Sequence, residues 1–227
     1  MRIRGRDKVP ALLEMAAPIL VDAEQNMVLP ADWLSGYDRL CLEVGCGRGS
    51  FICQMADRAP NTLFVGFEKF LEIIARAASL AASQGLRNAR FIRADAAQAE
   101  LILPLRAFHV IYLNFSDPWP RRRNDIKRLT HPRYLQVYRN LLTAGGWLEF
   151  KTDNAAFFDW SIGSFQKAGW NVLSIDQNVF DSAPPGEEMA AKYTQTEYEQ
   201  RFRAQGTPIR HLRAFPSPLP GTDTSAR

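Results

Sequence analysis

The sequence predicts an α/β protein, a single domain on a doubly wound, mostly parallel seven-stranded sheet. Three observations carry this reading. Short apolar runs alternate with longer amphipathic stretches along most of the chain. The apolar runs are nearly continuous rather than alternating with polar residues, which marks strands buried on both faces. A glycine-rich turn follows the first strong strand, where open α/β sheets bind ligands at the carboxyl ends of their strands.

Residues 1–9, with Arg2, Arg4, Arg6 and Lys8, are expected to form a flexible basic arm. Residues 10–215 form the folded domain, and residues 216–227, rich in Pro, Gly, Ser and Thr, a disordered tail. Arg39–Val44 reads as a buried strand and Ser50–Arg58 as the helix after the glycine turn. Thr62–Phe67 is the second strand. Leu71–Gln84 is Ala-rich, has apolar residues at helical spacing and stops at Gly85. Ala89–Arg93 and Val110–Phe115 are the third and fourth strands. Pro132–Leu142 reads as a helix closed by Gly145 and Gly146, and Trp147–Lys151 as the fifth strand. Ala155–Ala168 is an amphipathic helix ending at Gly169. Trp170–Ile175 and Ile209–Phe215 are weaker candidates that bring the strands to seven.

The 227 residues are 46% hydrophobic and 23% charged, an ordinary globular balance that excludes a fibrous repeat or wholesale disorder. No apolar run approaches the roughly 20 residues of a membrane span. Glu14 interrupts the short apolar stretch near the start, so no secretory leader is read there. Cys41, Cys46 and Cys53 are odd in number and form no C-x-x-C pair, which favours a reduced, cytoplasmic setting. The net charge of +4 says little, but its distribution says more. Arg121, Arg122, Arg123, Lys127 and Arg128 fall within eight residues. Such runs are usually solvated surface, and context has to raise them above that.

Glu43-Val44-Gly45-Cys46-Gly47-Arg48-Gly49 is the sharpest local signal. The dinucleotide fingerprint G-x-G-x-x-G would need its third glycine at Ser50, and no G-x-x-x-x-G-K-[ST] phosphate loop exists in the chain. Glu43 inside the turn would repel a pyrophosphate but not a cationic sulfonium donor. Glu68 ends the second strand, where a carboxylate can accept from ribose hydroxyls. Asp95 ends the third. This set resembles the Rossmann-like class I methyltransferase fold, and implies S-adenosyl-L-methionine as cofactor, S-adenosyl-L-homocysteine as product and no metal. Glu43, Gly45, Gly47, Glu68, Asp95 and Asp117 are its expected contacts. Cys46 reads as a small residue fitting a tight turn, and Cys41 and Cys53 as core.

After the fourth strand comes Asn114-Phe115-Ser116-Asp117-Pro118-Trp119-Pro120. The two prolines stiffen the loop, and Asp117 faces the place where a transferred group must be delivered. Trp119 alone reads as cover for an apolar edge. The arginine run begins at once, so rigid loop, aromatic and cations together point to a nucleic-acid acceptor held through its phosphates.

The stretch FSDPWPRRRNDIKRLTHPRYLQVYRNLLTAGGWLEFKTDN, with LEVGCGRG, VGFEK and TQTEYEQRFRAQGTPI, resembles the bacterial tRNA (guanine-N7-)-methyltransferase family over roughly residues 35–215. The resemblance implies methyl transfer from S-adenosyl-L-methionine to N7 of guanosine 46 in the tRNA variable loop. An S-adenosylmethionine-dependent N-methyltransferase acting on another RNA or a small molecule is the alternative. It implies a tRNA partner, no membrane, and either a monomer or a homodimer. By position it assigns Arg121, Asp153, Thr196, Glu197, Tyr198 and Glu199 to the substrate. Thr196 with Glu199 also fits a helix capping box. Two departures stand out. Arg121 replaces the family's usual lysine, and the usual histidine is missing from Asn124-Asp125-Ile126.

Guanine N7 has a free lone pair and no proton, so the reaction needs no general base. His109, His131 and His211 accordingly read as structural. Catalysis should come from alignment of acceptor and donor and from a carboxylate that stabilises the guanine ring as it becomes cationic. Asp117 is the candidate.

Overall fold

The computed structural model describes residues 9–24, 29–30, 32–181, 194 and 197–217. The expected arm, apart from Val9, and the tail from residue 218 lie outside the described residues. Eight strands form one sheet in the order β1-β4-β3-β2-β5-β6-β8-β7. They are β1 (Leu20–Asp22), β2 (Arg39–Val44), β3 (Thr62–Glu68), β4 (Ala89–Arg93), β5 (Phe108–Asn114), β6 (Leu142–Thr152), β7 (Trp170–Asp176) and β8 (Arg210–Pro216). β1 to β6 pair in parallel, while β8 lies antiparallel between β6 and β7. The chain runs outward from β2 through β3 to β4, then returns to start β5 on the other side of β2. The switch point between β2 and β5 is where such a sheet opens a crevice for ligands.

Helices cover both faces. Against one face lie α1 (Val9–Ala16), α2 (Ser50–Arg58) and α3 (Leu71–Ser83), closing over Phe51, Ile52, Phe64, Ile74 and Phe91. Against the other lie α4 (Ala99–Ile102), α5 (Pro132–Leu141) and α6 (Ala155–Lys167), closing over Phe108, Leu135, Tyr138, Phe150, Phe158 and Phe165. Both layers explain the unbroken apolar runs of β2, β3 and β5. A last helix, α7 (Glu197–Ala204), precedes β8. No helix among the described residues is long and apolar enough to cross a membrane.

Three local readings are corrected. The sheet has eight strands rather than seven. β1 is only three residues long, too short for any periodicity, and its Asp22 joins Glu24 in gripping Arg93 of β4 at 2.9 and 2.7 Å. Gly145 and Gly146 do not close a helix: α5 ends at Leu141 and both lie inside β6. There the pairing with β5 shifts register between Phe108 and Val110. Gly145 takes φ +79, and a Cβ on Gly146 would stand 3.1 Å from the Phe108 and His109 carbonyls. Finally, Pro216, expected in the tail, ends β8 opposite Trp170, and Ser217 N–H donates to the Gly169 carbonyl.

β6 and β8 share a buried polar cluster. Glu149 accepts from Trp147 Nε1 at 3.0 Å and Arg213 Nη2 at 2.8 Å, and meets His211 Nε2 at 3.4 Å. His211 Nδ1 lies 3.2 Å from Asp176 on β7. Burial alone would raise the Glu149 carboxyl, but His211, Arg213 and Trp147 outweigh it and hold it down to about 2. A depressed carboxyl adds stability above its unfolded pKa of about 4.3, and loses it as pH falls toward the folded value. Glu149→Gln should therefore cost about 2–3 kcal/mol at pH 7, because it strips the half-buried Arg213 guanidinium of its charged partner inside a buried cluster. Urea unfolding checks this, and the gap to wild type should narrow as the pH approaches 3.

Candidate active site

β2, β3 and β4 end side by side, with Glu43 opposite Gly66 and Glu68 opposite Arg93. Their terminal acids therefore line one edge of the sheet, as the sequence predicts. Glu43 is 3% exposed. Its Oε1 accepts from Asn114 Nδ2 on β5 at 2.8 Å, while Oε2 is buried with no hydrogen-bond partner among the described residues. Burial pushes this carboxyl up to about 8, with Asn114 and the Lys151 charge opposing and Glu68 adding. A buried carboxylate oxygen without a donor is costly, and such an atom at a ligand crevice fits a cationic or hydrogen-bonding guest.

The glycine turn wraps this edge. Gly45 and Gly47 take φ +76 and +55, open to glycine without strain. Nothing stands within 4 Å of where a Gly47 Cβ would sit, so the turn leaves room for a ligand against its backbone. Glu68 accepts from the N–H groups of Gly47, Lys69 and Phe70 at 3.3, 2.8 and 3.1 Å. Burial raises its carboxyl despite those three donors, and the charge of Asp117 raises it further. Asp95 caps the 3-10 turn Ala96–Gln98 through Ala97 N–H and pairs with Lys69 at 2.7 Å. Partial burial would raise it, but Lys69 and the Ala97 N–H prevail and hold it below the usual carboxylate range. Cys46 between the glycines is buried, and burial with Glu43 and Glu68 nearby lifts its thiol far from ionisation.

Asp117 is exposed on the loop after β5, within electrostatic reach of Glu68. Phe115 and Trp119 bracket it with φ +52 and +41, a left-handed backbone that non-glycine residues adopt only under constraint. The constraint is visible. Phe115 N–H donates to the Lys151 carbonyl at 2.9 Å. Arg128 donates through Nε to the Pro118 carbonyl at 2.8 Å and through Nη2 to the Trp119 carbonyl at 3.1 Å.

Arg128 thus corrects the reading of the basic run. Its guanidinium is buried, lies 4.3 Å over the Trp160 ring and pairs with Asp125 at 2.9 Å. It locks the loop from within and is not a phosphate contact. The unexpected acid Asp125 is its counter-ion. Arg121, Arg122 and Arg123 remain exposed, and Lys127 places its ammonium 4.8 Å from the half-buried Trp119 ring.

Asp153 follows β6 at the same edge, half-buried, its carbonyl accepting from Arg210. Thr196 lies outside the described residues. Glu197 and Tyr198 open α7, and nothing is described of their side chains. Glu199 is fully buried and paired with Lys151. The histidines have structural partners: His109 accepts from Leu40 N–H, His131 caps α5 through Arg133 N–H, and His211 sits in the Glu149 cluster. Among the described residues no group of three or more His, Cys, Asp or Glu is placed to hold a metal ion. Sequence reasoning missed Asn114, Lys69 and Lys151. For Lys151 a signal was available: Trp147, Glu149 and Lys151 alternate with Leu148 and Phe150 along β6, placing side chains with polar groups on one face; Asn114 and Lys69 left none.

The strand order, with β8 reversed beside β6, and acids ending successive strands define a class I methyltransferase fold. Comparison with solved structures agrees. A 16S rRNA methyltransferase, KamB, superposes with a TM-score of 0.61 at 17% identity, covering 88% of this chain and 95% of that one. A protein-family model described as "Putative methyltransferase" matches residues 38–212. The tRNA (guanine-N(7)-)-methyltransferase of Macrococcus caseolyticus is 37% identical over 81% of this chain and 84% of its own length. That of Pediococcus pentosaceus is 33% identical over 94% of this chain and 99% of its own. The chain belongs to the bacterial tRNA (guanine-N7-)-methyltransferase family.

Proposed function

We propose that this protein transfers a methyl group from S-adenosyl-L-methionine to N7 of guanosine 46 in the variable loop of tRNA, in the cytoplasm. The observation that carries the reading is the single sheet edge shared by Glu43, Glu68, Asp95 and Asp117, continued directly by the exposed arginines 121–123.

The donor site fits its ligand on the chemistry of its own atoms. Glu43 presents an unpartnered buried oxygen, Gly47 leaves open space, and Glu68 and Asp95 lie where β3 and β4 end. S-adenosyl-L-methionine, when bound, supplies an electrophilic methyl carbon on a cationic sulfur. Glu43 complements that positive charge, Gly45 and Gly47 let the ligand approach their backbone, and Glu68 and Asp95 receive its hydroxyl and amine donors. Asp117, held by the clamped loop, stabilises the guanine ring as positive charge spreads over it. The acceptor nitrogen has no proton to remove, so no histidine is called on. Asp153 and the segment 196–198 select guanine by accepting from its N–H groups, and Trp119 offers a surface for an unstacked base.

Arg121 and its two neighbours grip phosphate without reading sequence. Changing Arg121, Arg122 and Arg123 together to Ala should raise KM for tRNA far more than it lowers kcat. It should also flatten the slope of log K against log salt by about 0.7–0.9 for each phosphate no longer neutralised. A titration at several salt concentrations measures both, and an unchanged slope would remove these arginines from the RNA surface. The reading itself is tested by incubating the protein with labelled S-adenosyl-L-methionine and unmodified tRNA, then mapping the modified nucleotide. Label at N7 of guanosine 46 is expected. Label on an exocyclic amine, or on a small molecule in preference to tRNA, overturns it.

A further inference from the structure

The carboxyl end of β6 holds a cation that neither the donor carboxylates nor the arginine surface accounts for. Lys151 is 2% exposed. Its Nζ lies 3.0 Å from Glu199 Oε2 on α7 and donates to the Thr194 carbonyl at 3.1 Å. Lys151 pairs in register with Asn114 on β5, the residue that holds Glu43 Oε1. Its own carbonyl accepts from Phe115 N–H, and the Phe115 ring stacks 6.3 Å from Phe202 of α7. Donor edge, strained loop and α7 therefore meet at one residue.

A buried ion pair is a poor source of stability, because desolvation offsets the attraction and apolar residues of similar volume often serve the fold as well. What such a pair does fix is geometry: it holds two elements at one separation. We propose that Lys151 is a positioning residue whose buried ammonium, shared between Glu199 and Glu43, holds α7, which opens with Glu197 and Tyr198, in register with the donor site. Glu199 then anchors α7 and does not hydrogen-bond guanine. The inference rests on the function proposed above and deepens it.

Charge sharing gives the idea an unusual signature. Lys151 pairs with Glu199 from α7 and has His211 as its register neighbour on β8, and through Asn114, its neighbour on β5, it stands within electrostatic reach of Glu43 on β2. Glu43 also senses Glu68 from β3, Cys46 from the glycine turn and Cys53 from α2. Removing the ammonium leaves Glu43 harder to ionise, which weakens binding of a cationic donor. Neutralising Glu199 instead releases the ammonium toward Glu43, which strengthens it.

The test compares wild type, Lys151→Met, Lys151→Arg and Glu199→Gln as full-length proteins. Calorimetry gives the affinity for S-adenosyl-L-methionine between pH 6 and 7.5, and initial rates give kcat and KM with unmodified tRNA. Lys151→Met should weaken donor binding about tenfold at pH 7, and Glu199→Gln should tighten it severalfold. Both should lower kcat on the order of 10–100-fold, the scale expected from a small misplacement of the reactants. Lys151→Arg should restore the donor affinity and part of kcat. Donor shifts of the same sign, no donor shift, or kcat within twofold of wild type overturns the proposal. If Lys151→Met does not fold, Lys151→Arg and Glu199→Gln still decide it, since both keep the cation. If wild type binds donor but labels no tRNA, the functional reading falls while the opposite donor shifts still decide the role of Lys151. If wild type binds no donor, both fall.

Discussion

Asp117→Asn should lower kcat for tRNA methylation by about 100–1,000-fold and leave the Kd for tRNA within about threefold. The magnitude is that of removing one preorganised electrostatic group from a site where charge develops in the transition state. The asymmetry follows from where the residue stands. Asp117 lies on a loop whose backbone is fixed at Phe115 by the Lys151 carbonyl and at Pro118 and Trp119 by Arg128. The amide should keep that loop and the arginine surface in place while losing the negative charge. Single-turnover rates at saturating donor, set beside filter-binding affinities for tRNA, separate the two effects. Equal losses in rate and tRNA affinity would refute the catalytic role. A loss confined to donor affinity would make Asp117 a donor contact instead.

Glu43→Gln has the second largest effect, and it acts in two directions. Donor binding should weaken by about 100-fold, as expected for losing a charge-assisted partner in a buried site. Stability should rise. The wild-type carboxyl is raised to about 8 by burial, against about 4.3 unfolded. The folded state therefore binds more protons between these values, and stability declines as pH rises through that window. At pH 8.5 the glutamine variant should be more stable by about 2–4 kcal/mol, with no difference at pH 4. Donor affinity of the wild type should follow the same proton. It should increase by up to tenfold per unit between pH 6 and about 7.5, below the range near 7.7–8.0 where an α-amino group deprotonates. The variant should be flat there. Calorimetry in two buffers of different ionisation enthalpy reads the proton released on binding, near one for wild type at pH 6.5 and none for Glu43→Gln.

Much of this architecture was legible in the residues. Continuous apolar runs located β2 to β5 because both faces of a parallel sheet are covered. The acids ending those strands marked the crevice because consecutive parallel strands finish at one edge. Failures came where local pattern had to compete with distant partners. Gly145 and Gly146 look like a helix stop, yet the close approach of β5 claims them for a bulged strand. Arg128 looks like part of a solvated run, but Trp160, thirty-two positions on, draws it inward. Lys151 and Glu199 are 48 residues apart and Glu149 and His211 are 62 apart. Periodicity shows which face a side chain occupies but not which partner waits there. The alternation of Trp147, Glu149 and Lys151 inside an apolar strand was the one trace such a cluster left.

Arg128 also bears on how mutational data for this protein should be interpreted. Substituting it would unfasten two carbonyls of the Asp117 loop without removing any side chain that reaches solvent. A genetic screen for weak RNA binders would nevertheless recover it beside Arg121–Arg123. The phenotype would be shared, yet the origin would be architectural: across a salt titration the surface mutants would lose part of the wild-type steepness while the keystone mutant kept it in full.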